Sequence, residues 1–200
     1  VTDARRAAIT LAMIVGVPVA AALGRWIPEV ESSRRVEANV DPQTQQLRVR
    51  HISGRQYLMA YLDIVGVATA CDGLTSYRGR KIRTTDRFTE AQCAAMLEEE
   101  LVAHAQGAMK CTPGLALSPY PGLELRRQGP RFAIVSLAYN IGTGGYCSST
   151  ARARFNAGDF AGGCEALTWF NRAGGRVSRG LVNRRAREAK VCREGLGALT

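Results

Sequence analysis

Residues 7–24 (AAITLAMIVGVPVAAALG) form an eighteen-residue run without a charge, with Arg5 and Arg6 before it and Arg25 behind it. The length is at the lower limit for a bilayer-spanning helix, and Ala, Gly and the central Pro18 make it only weakly apolar. Basic residues on its N-terminal side favour retention of that end inside and export of the rest. The run reads as a signal cleaved near Ala20–Ala22, a permanent anchor, or a marginal helix that later leaves the bilayer. A helix buried in a soluble core is the alternative. Residues 29–50 are polar and charged and broken by Pro42, so they are expected to be a linker or a frayed helix.

The pattern then changes period. Tyr57, Leu58 and Tyr61 have helical spacing, which predicts a short amphipathic helix over 53–61. Residues 60–75 (AYLDIVGVATACDGLT) predict a β-hairpin: Val65, Val67 and Thr69 alternate and are β-branched, and Gly66 suits the turn. Asp63 stands at its entrance and Thr69 on its returning strand, a carboxylate and a hydroxyl able to position water. Residues 76–85 (SYRGRKIRTT) predict a basic loop or second hairpin around Gly79.

Thr89 opens a helix that runs to about Lys110. Gln92 has the capping-box spacing, and Met96, Leu97, Leu101, Ala105 and Ala108 form the inner face. Glu98, Glu99 and Glu100 are expected on the solvated side. Four prolines between 112 and 130 predict a loop. Pro130 suits the first turn of a helix that is apolar on nearly every side and carries Asn140 near its end. Further helices are expected near 149–157, 159–170 and 179–194. The last presents Arg184, Arg185, Arg187, Lys190 and Arg193 either as a docking face for an anionic partner or as a solvated face.

Two hundred residues suffice for one domain or two small lobes. A net charge of +10 predicts attraction to a polyanion, whether nucleic acid, a membrane surface or a cell-wall polymer. The six cysteines form no CxxC, and only His51 and His104 could join them, which disfavours a metal site. An even, dispersed set suits three disulfides and an oxidising compartment; buried free thiols are the alternative. About fifteen pairings are open on sequence alone. No nucleic-acid motif is present.

Three stretches taken together resemble the phage-type lysozymes, the endolysins of glycoside hydrolase family 24. They are Asp63 with Thr69 six residues on, the stretch FAIVSLAYNIGTGGYCSSTARARFNAGDF (132–160), and WFNRAGGRVSRGLVNRRAREAKVC (169–192). The similarity covers roughly 52–196, and the uncharged run at 7–24 is similar to the signal-arrest-release anchors of exported endolysins. The resemblance implies an α+β lysozyme-like fold, a small β-hairpin lobe and a larger helical lobe with a cleft between them. It divides the chain into a signal or signal-anchor helix (1–28), a polar linker (29–50) and a lysozyme-like domain (51–200). It implies Cys71–Cys93, Cys111–Cys147 and Cys164–Cys192 as disulfides. It also implies a muramidase that cuts the β-1,4 bond between N-acetylmuramic acid and N-acetylglucosamine in peptidoglycan. Such an enzyme is exported, tethered to the inner membrane through 7–24 or periplasmic, and works as a monomer without cofactor, metal or nucleic acid.

One position departs from the family. Its pattern is Glu, eight residues, Asp or Cys, five residues, Thr; Asp63 and Thr69 fit the last two, and Gly54 falls where Glu belongs. A glycosidic oxygen leaves poorly unless an acid protonates it. Glu37 or Asp41 from the 29–50 segment, His51 or Asp72 are candidates for that role, His51 being suited by its ordinary pKa near neutrality. The site is therefore expected to comprise Asp63, Thr69 and His51 for catalysis, with Asn140 and Asp72 binding substrate. An inactive lysozyme-fold protein that binds murein, or serves as a phage structural or regulatory component, is the other reading.

Overall fold

The computed structural model describes residues 9–63 and 66–199; Val65 of the expected hairpin, residues 7 and 8 of the uncharged run, and Arg5 and Arg6 lie outside the described residues. Thr10 caps helix α1 (Leu11–Val15) by accepting from the Met13 N–H. Gly16, at φ +84°, then turns the chain into α2 (Val17–Ser32), with Pro18 in its first turn. Leu11, Val15, Val19, Leu23 and Ile27 are fully buried. Each such side chain stabilises the fold by about 1.5–3 kcal/mol. They share one core with the later helices, so Leu11 to Ile27 of the segment expected to serve as signal or anchor are here a structural part of the domain. Among the described residues, no helix is long and apolar enough to cross a membrane; the break at Gly16 divides the run. Cleavage at Ala20–Ala22 would remove Leu11, Val15 and Val19 from that core.

Residues 29–50 are not a linker. They complete α2 and then form most of an antiparallel hairpin, β1 (Arg35–Val40) and β2 (Leu47–Ser53). Val36, Ala38 and Leu47 are buried, while their neighbours carry the charges; a strand that hides one face looks polar overall. Asp41 closes the turn, its Oδ1 accepting from the Gln43 and Thr44 N–H groups. Those bonds and Arg48, the Thr44 N–H foremost, bring its carboxyl down to about 2. Gly24 admits the hairpin, since a Cβ there would lie 2.8 Å from Leu47 Cδ1.

The helix expected over 53–61 does not form, because its backbone is engaged elsewhere. The Tyr57 carbonyl accepts from the Cys71 N–H, the Leu58 carbonyl from the Phe88 N–H, and the Ala60 N–H donates to Asp86. The expected hairpin is present as β3 (Tyr61–Leu62) and β4 (Ala68–Thr69), and the second as β5 (Ser76–Tyr77) and β6 (Arg80–Lys81). Ala70, Leu74, Ile82, Cys93 and Met96 form the small core of this lobe. Helix α3 (Glu90–Cys111) carries the expected capping box and bridges the two cores, with Met96 in the small one and Leu97, Leu101, Ala105 and Ala108 in the large one. Glu98 leaves the expected solvated face: it accepts the N–H groups of Leu11 and Leu47, and burial pushes its carboxyl up.

Helix α4 (Pro121–Ile141) starts well before Pro130 and runs through it, forgoing one backbone bond. It is followed by α5 (Thr143–Cys147), α6 (Thr150–Asn156), α7 (Phe160–Ala166), the hairpin β7 (Arg172–Ala173) and β8 (Arg176–Val177), and α8 (Arg179–Glu194). Gly129 brings α4 against α8, since a Cβ there would lie 2.3 Å from the Val191 carbonyl. Cys71–Cys93, Cys111–Cys147 and Cys164–Cys192 pair as the resemblance implies.

Candidate active site

Asp63 leaves β3 and is held by the turn it begins. Its N–H donates to the Val67 carbonyl at 2.9 Å, and its Oδ1 accepts from the Val67 N–H at 2.8 Å. Thr69, opposite Tyr61 in the register, is buried, and its Oγ1 donates to the same carbonyl at 3.1 Å. Asp63 and Thr69 are thus fixed through one residue, Val67, whose carbonyl accepts from both.

Beyond Thr69 the chain reverses through a turn in which Ala70 and Leu74 exchange backbone hydrogen bonds and Gly73 takes φ +88°. Asp72 in that turn is 1 % exposed. Arg34 donates to it from Nη2 at 2.6 Å and Nε at 3.1 Å, and Ser32 Oγ donates at 2.9 Å. The Tyr139 hydroxyl donates to its carbonyl at 3.3 Å. Asp72 therefore clamps the strand turn to the end of α2. Both its oxygens accept from these groups and the side chain is almost wholly buried, surroundings that suit a structural clamp rather than the expected contact with substrate or replacement of the acid.

The clamp brings a carboxylate that the sequence reading passed over. Glu31, in the last turn of α2, lies against this turn; a Cβ on Gly73 would be 3.7 Å from both its Cβ and its Oε2. Arg184 Nη1 donates to Glu31 Oε1 at 2.6 Å, and the Glu31 side chain keeps 20 % of its exposure. Burial, with the negative charges of Glu31, Asp72 and Glu100, holds the Tyr139 hydroxyl well above its ordinary value.

Arg184 is itself held from behind. Its Nε donates to Glu188 Oε1 at 3.1 Å. That oxygen also accepts from Ser136 Oγ at 2.5 Å, and Ser136 accepts from Trp26 Nε1 at 2.7 Å. The chain Trp26–Ser136–Glu188–Arg184–Glu31 starts and ends on α2 and passes through α4 and α8. Glu188 is fully buried, and desolvation pushes its carboxyl up against the pull of Arg185 and Arg184. Burial likewise lowers Arg185 to about 10.

The other expected site residues have different surroundings. Gly54 adopts φ +93°, and a Cβ there would be 2.8 Å from the Ser33 carbonyl oxygen and 3.1 Å from Arg34 Cα. No side chain fits. His51 lies on β2 opposite Val36; its N–H donates to Glu90 at 2.6 Å, and its ring Nδ1 is buried without a hydrogen-bond partner. These contacts tie His51 to the start of α3 rather than to Asp63 or Thr69, as an acid at that site would require. Asn140 is exposed at the end of α4 and accepts from Arg185 Nη2 at 3.2 Å. Glu37 and Asp41, on the hairpin, pair with Arg50 and Arg48. The family spacing, counted back from Asp63, reaches Gly54, whereas Glu31 stands 32 positions before Asp63, on the far side of the β1–β2 hairpin in the sequence. The available signal was an acid ending a helix whose Trp26, Ile27 and Val30 form an apolar face.

A hairpin lobe carrying a carboxylate and a hydroxyl, joined by α3 to a helical lobe, defines an α+β lysozyme fold. The model of the Phage lysozyme family matches residues 54–188, and the chain belongs to that family. It is 35% identical over 132 residues to a SAR-endolysin of Bacteriophage PS119, covering 66% of this chain and 71% of that protein. It is 34% identical over 141 residues to a SAR-endolysin of Enterobacteria phage P21, covering 70% and 77%. Among solved structures, an endolysin from Escherichia coli O157:H7 phage FAHEc1 aligns with a TM-score of 0.63 at 25% identity, over 87% of this chain and 91% of that one. Glu31 lies upstream of the family match, which begins at Gly54.

Proposed function

We propose that this chain is a peptidoglycan-degrading muramidase in which Glu31 is the general acid and Asp63 with Thr69 positions the attacking water. The observation that carries the reading is the contact of Glu31 with the turn following Thr69, in a region where Gly54 can offer nothing. In this reading Glu31 protonates the glycosidic oxygen as the bond to N-acetylmuramic acid breaks, and a water held by Asp63 and Thr69 completes hydrolysis. Arg184 orients Glu31, and Glu188 and Ser136 orient Arg184. Asn140 contacts the glycan at the edge of the site. The enzyme acts as a monomer, outside the inner membrane, on the cell wall.

The position of Glu31 links activity to the N-terminal segment. While residues 7–24 lie in a bilayer, α2 is not docked and the acid is remote from Asp63; when they leave it, the burial of Leu11 to Ile27 assembles the site. The membrane stage is thus an inactive stage.

Release of reducing sugar from purified peptidoglycan tests the assignment. Glu31→Gln is expected to lower the rate by about 10²–10⁴, the contribution of a positioned acid. His51→Ala and Glu29→Gln are expected to stay near wild type. An inactive wild type, oxidised or reduced, leaves the binding-only reading standing. An active Glu31→Gln removes Glu31 from the mechanism.

A further inference from the structure

We propose that the far end of the helical lobe carries a second binding site, for a single anionic phospholipid. A cavity of about 830 Å³ opens between the start of α4, α7 and the end of α8. Its lining includes the apolar residues Leu123, Pro130, Phe160 and Leu196 and the disulfide-bonded Cys164 and Cys192. The volume is in the range of about 300–1,000 Å³ typical of small-molecule sites. It is remote from the proposed catalytic groups: Cys192, the first α8 residue on its wall, is eight positions beyond Arg184, about 12 Å along the helix.

Charge at the mouth selects the occupant. Arg126, Arg127 and Arg193 line it against one carboxylate, Glu194. Arg126 forms no ion pair among the described residues. Arg127 uses Nη1 on the Ala116 carbonyl, yet its Nε is buried with no hydrogen-bond partner. Arg193 reaches only an exposed Glu165, at 3.8 Å. An apolar bore rimmed by under-used guanidinium groups matches an acyl chain with a phosphate head, because arginine binds phosphate oxygens in pairs. A neutral apolar ligand would leave the rim unpaired. A second copy of this chain, at +10, would bring like charge to it.

Lysophosphatidylglycerol, used as a monomer, is the probe for titration calorimetry on the full chain, with lysophosphatidylcholine as the uncharged-head comparison. One-to-one binding of the anionic lipid and at least tenfold weaker binding of the zwitterion are expected. Arg126→Gln, Arg127→Gln and Arg193→Gln together should weaken binding about 100-fold, at about fivefold per cation. Ala161→Trp, at an exposed cavity-lining position, should block the bore while the rim stays intact. The melting temperature checks that each variant is folded, and vesicles of phosphatidylglycerol against phosphatidylcholine check the same preference at a bilayer. Equal binding of the two lipids, insensitivity to both variants, or self-association that these variants abolish would overturn the proposal. None of these readouts depends on muramidase activity.

Discussion

Restoring glutamate at the position indicated by family spacing is expected to harm the protein rather than improve it. Gly54→Glu must adopt a backbone with φ +93° and put its Cβ 2.8 Å from the Ser33 carbonyl oxygen and 3.1 Å from Arg34 Cα. The backbone strain costs about 1–3 kcal/mol. Both close neighbours are main-chain atoms, which cannot rotate away, so overpacking adds about 1–3 kcal/mol more. The sum of about 2–6 kcal/mol corresponds to a fall in melting temperature of roughly 4–24 °C for a domain of this size. Thermal unfolding by circular dichroism reads that fall, and reducing-sugar release reads activity. The informative comparison is Gly54→Glu in the Glu31→Gln background. If Glu31 is the acid, the double variant stays as inactive as Glu31→Gln and is less stable. Recovery of activity there would refute the assignment of Glu31, and a melting temperature equal to that of Glu31→Gln would refute the steric argument.

Three further expectations follow from the packing. Glu188→Ala leaves Arg184 and Arg185 without their buried counter-charge, at about 3–5 kcal/mol; Glu188→Gln, which keeps the acceptor for Ser136, should lose less stability in the same urea titration. Replacing Cys71 and Cys93 by serine opens a loop of separation 22, worth about 3 kcal/mol in the chain-entropy account. Because that disulfide anchors the turn that directly follows Thr69 and contains Asp72, activity should fall more than on loss of Cys164–Cys192, measured at a temperature where both variants are folded. Burial raises the Glu98 carboxyl in the folded state above its ordinary 4.5, so the group favours folding below that pH and the benefit is lost as pH rises through the raised value. Glu98→Gln should therefore gain on wild type in melting temperature between about pH 4 and 7; a difference flat across that range would contradict the sign.

Much of the architecture is legible in the residues themselves. Thr89 and Gln92 set the start of α3, Arg179–Glu194 emerges with its expected limits, and Gly66 and Gly79 mark both small hairpins. These are local effects: a cap, a helical period, a turn that needs positive φ. The expectations that differ involve choices made across the chain. The 53–61 stretch has helical spacing but gives its backbone to the strand turns and the approach to α3. Residues 29–50 look like a linker because only one face of their hairpin is buried. Pro130 lies within α4 because tertiary contacts carry the helix on both sides of it.

The sequence by itself determined the family, the disulfide-suited cysteines and two of the three proposed catalytic groups, because Asp63 and Thr69 share one short hairpin whose spacing is a local property. It also determined that residues 7–24 are apolar, though not what they pack against. Only the tertiary structure decided that Leu11 to Ile27 pack into the core of the domain and that Asp72 is a clamp. It also decided that a carboxylate from the end of α2 meets the turn after Thr69. The physical reason is that the β1–β2 hairpin folds back on itself. It adds residues between Glu31 and Asp63 without carrying their elements apart, so distance along the chain ceases to measure distance in the site.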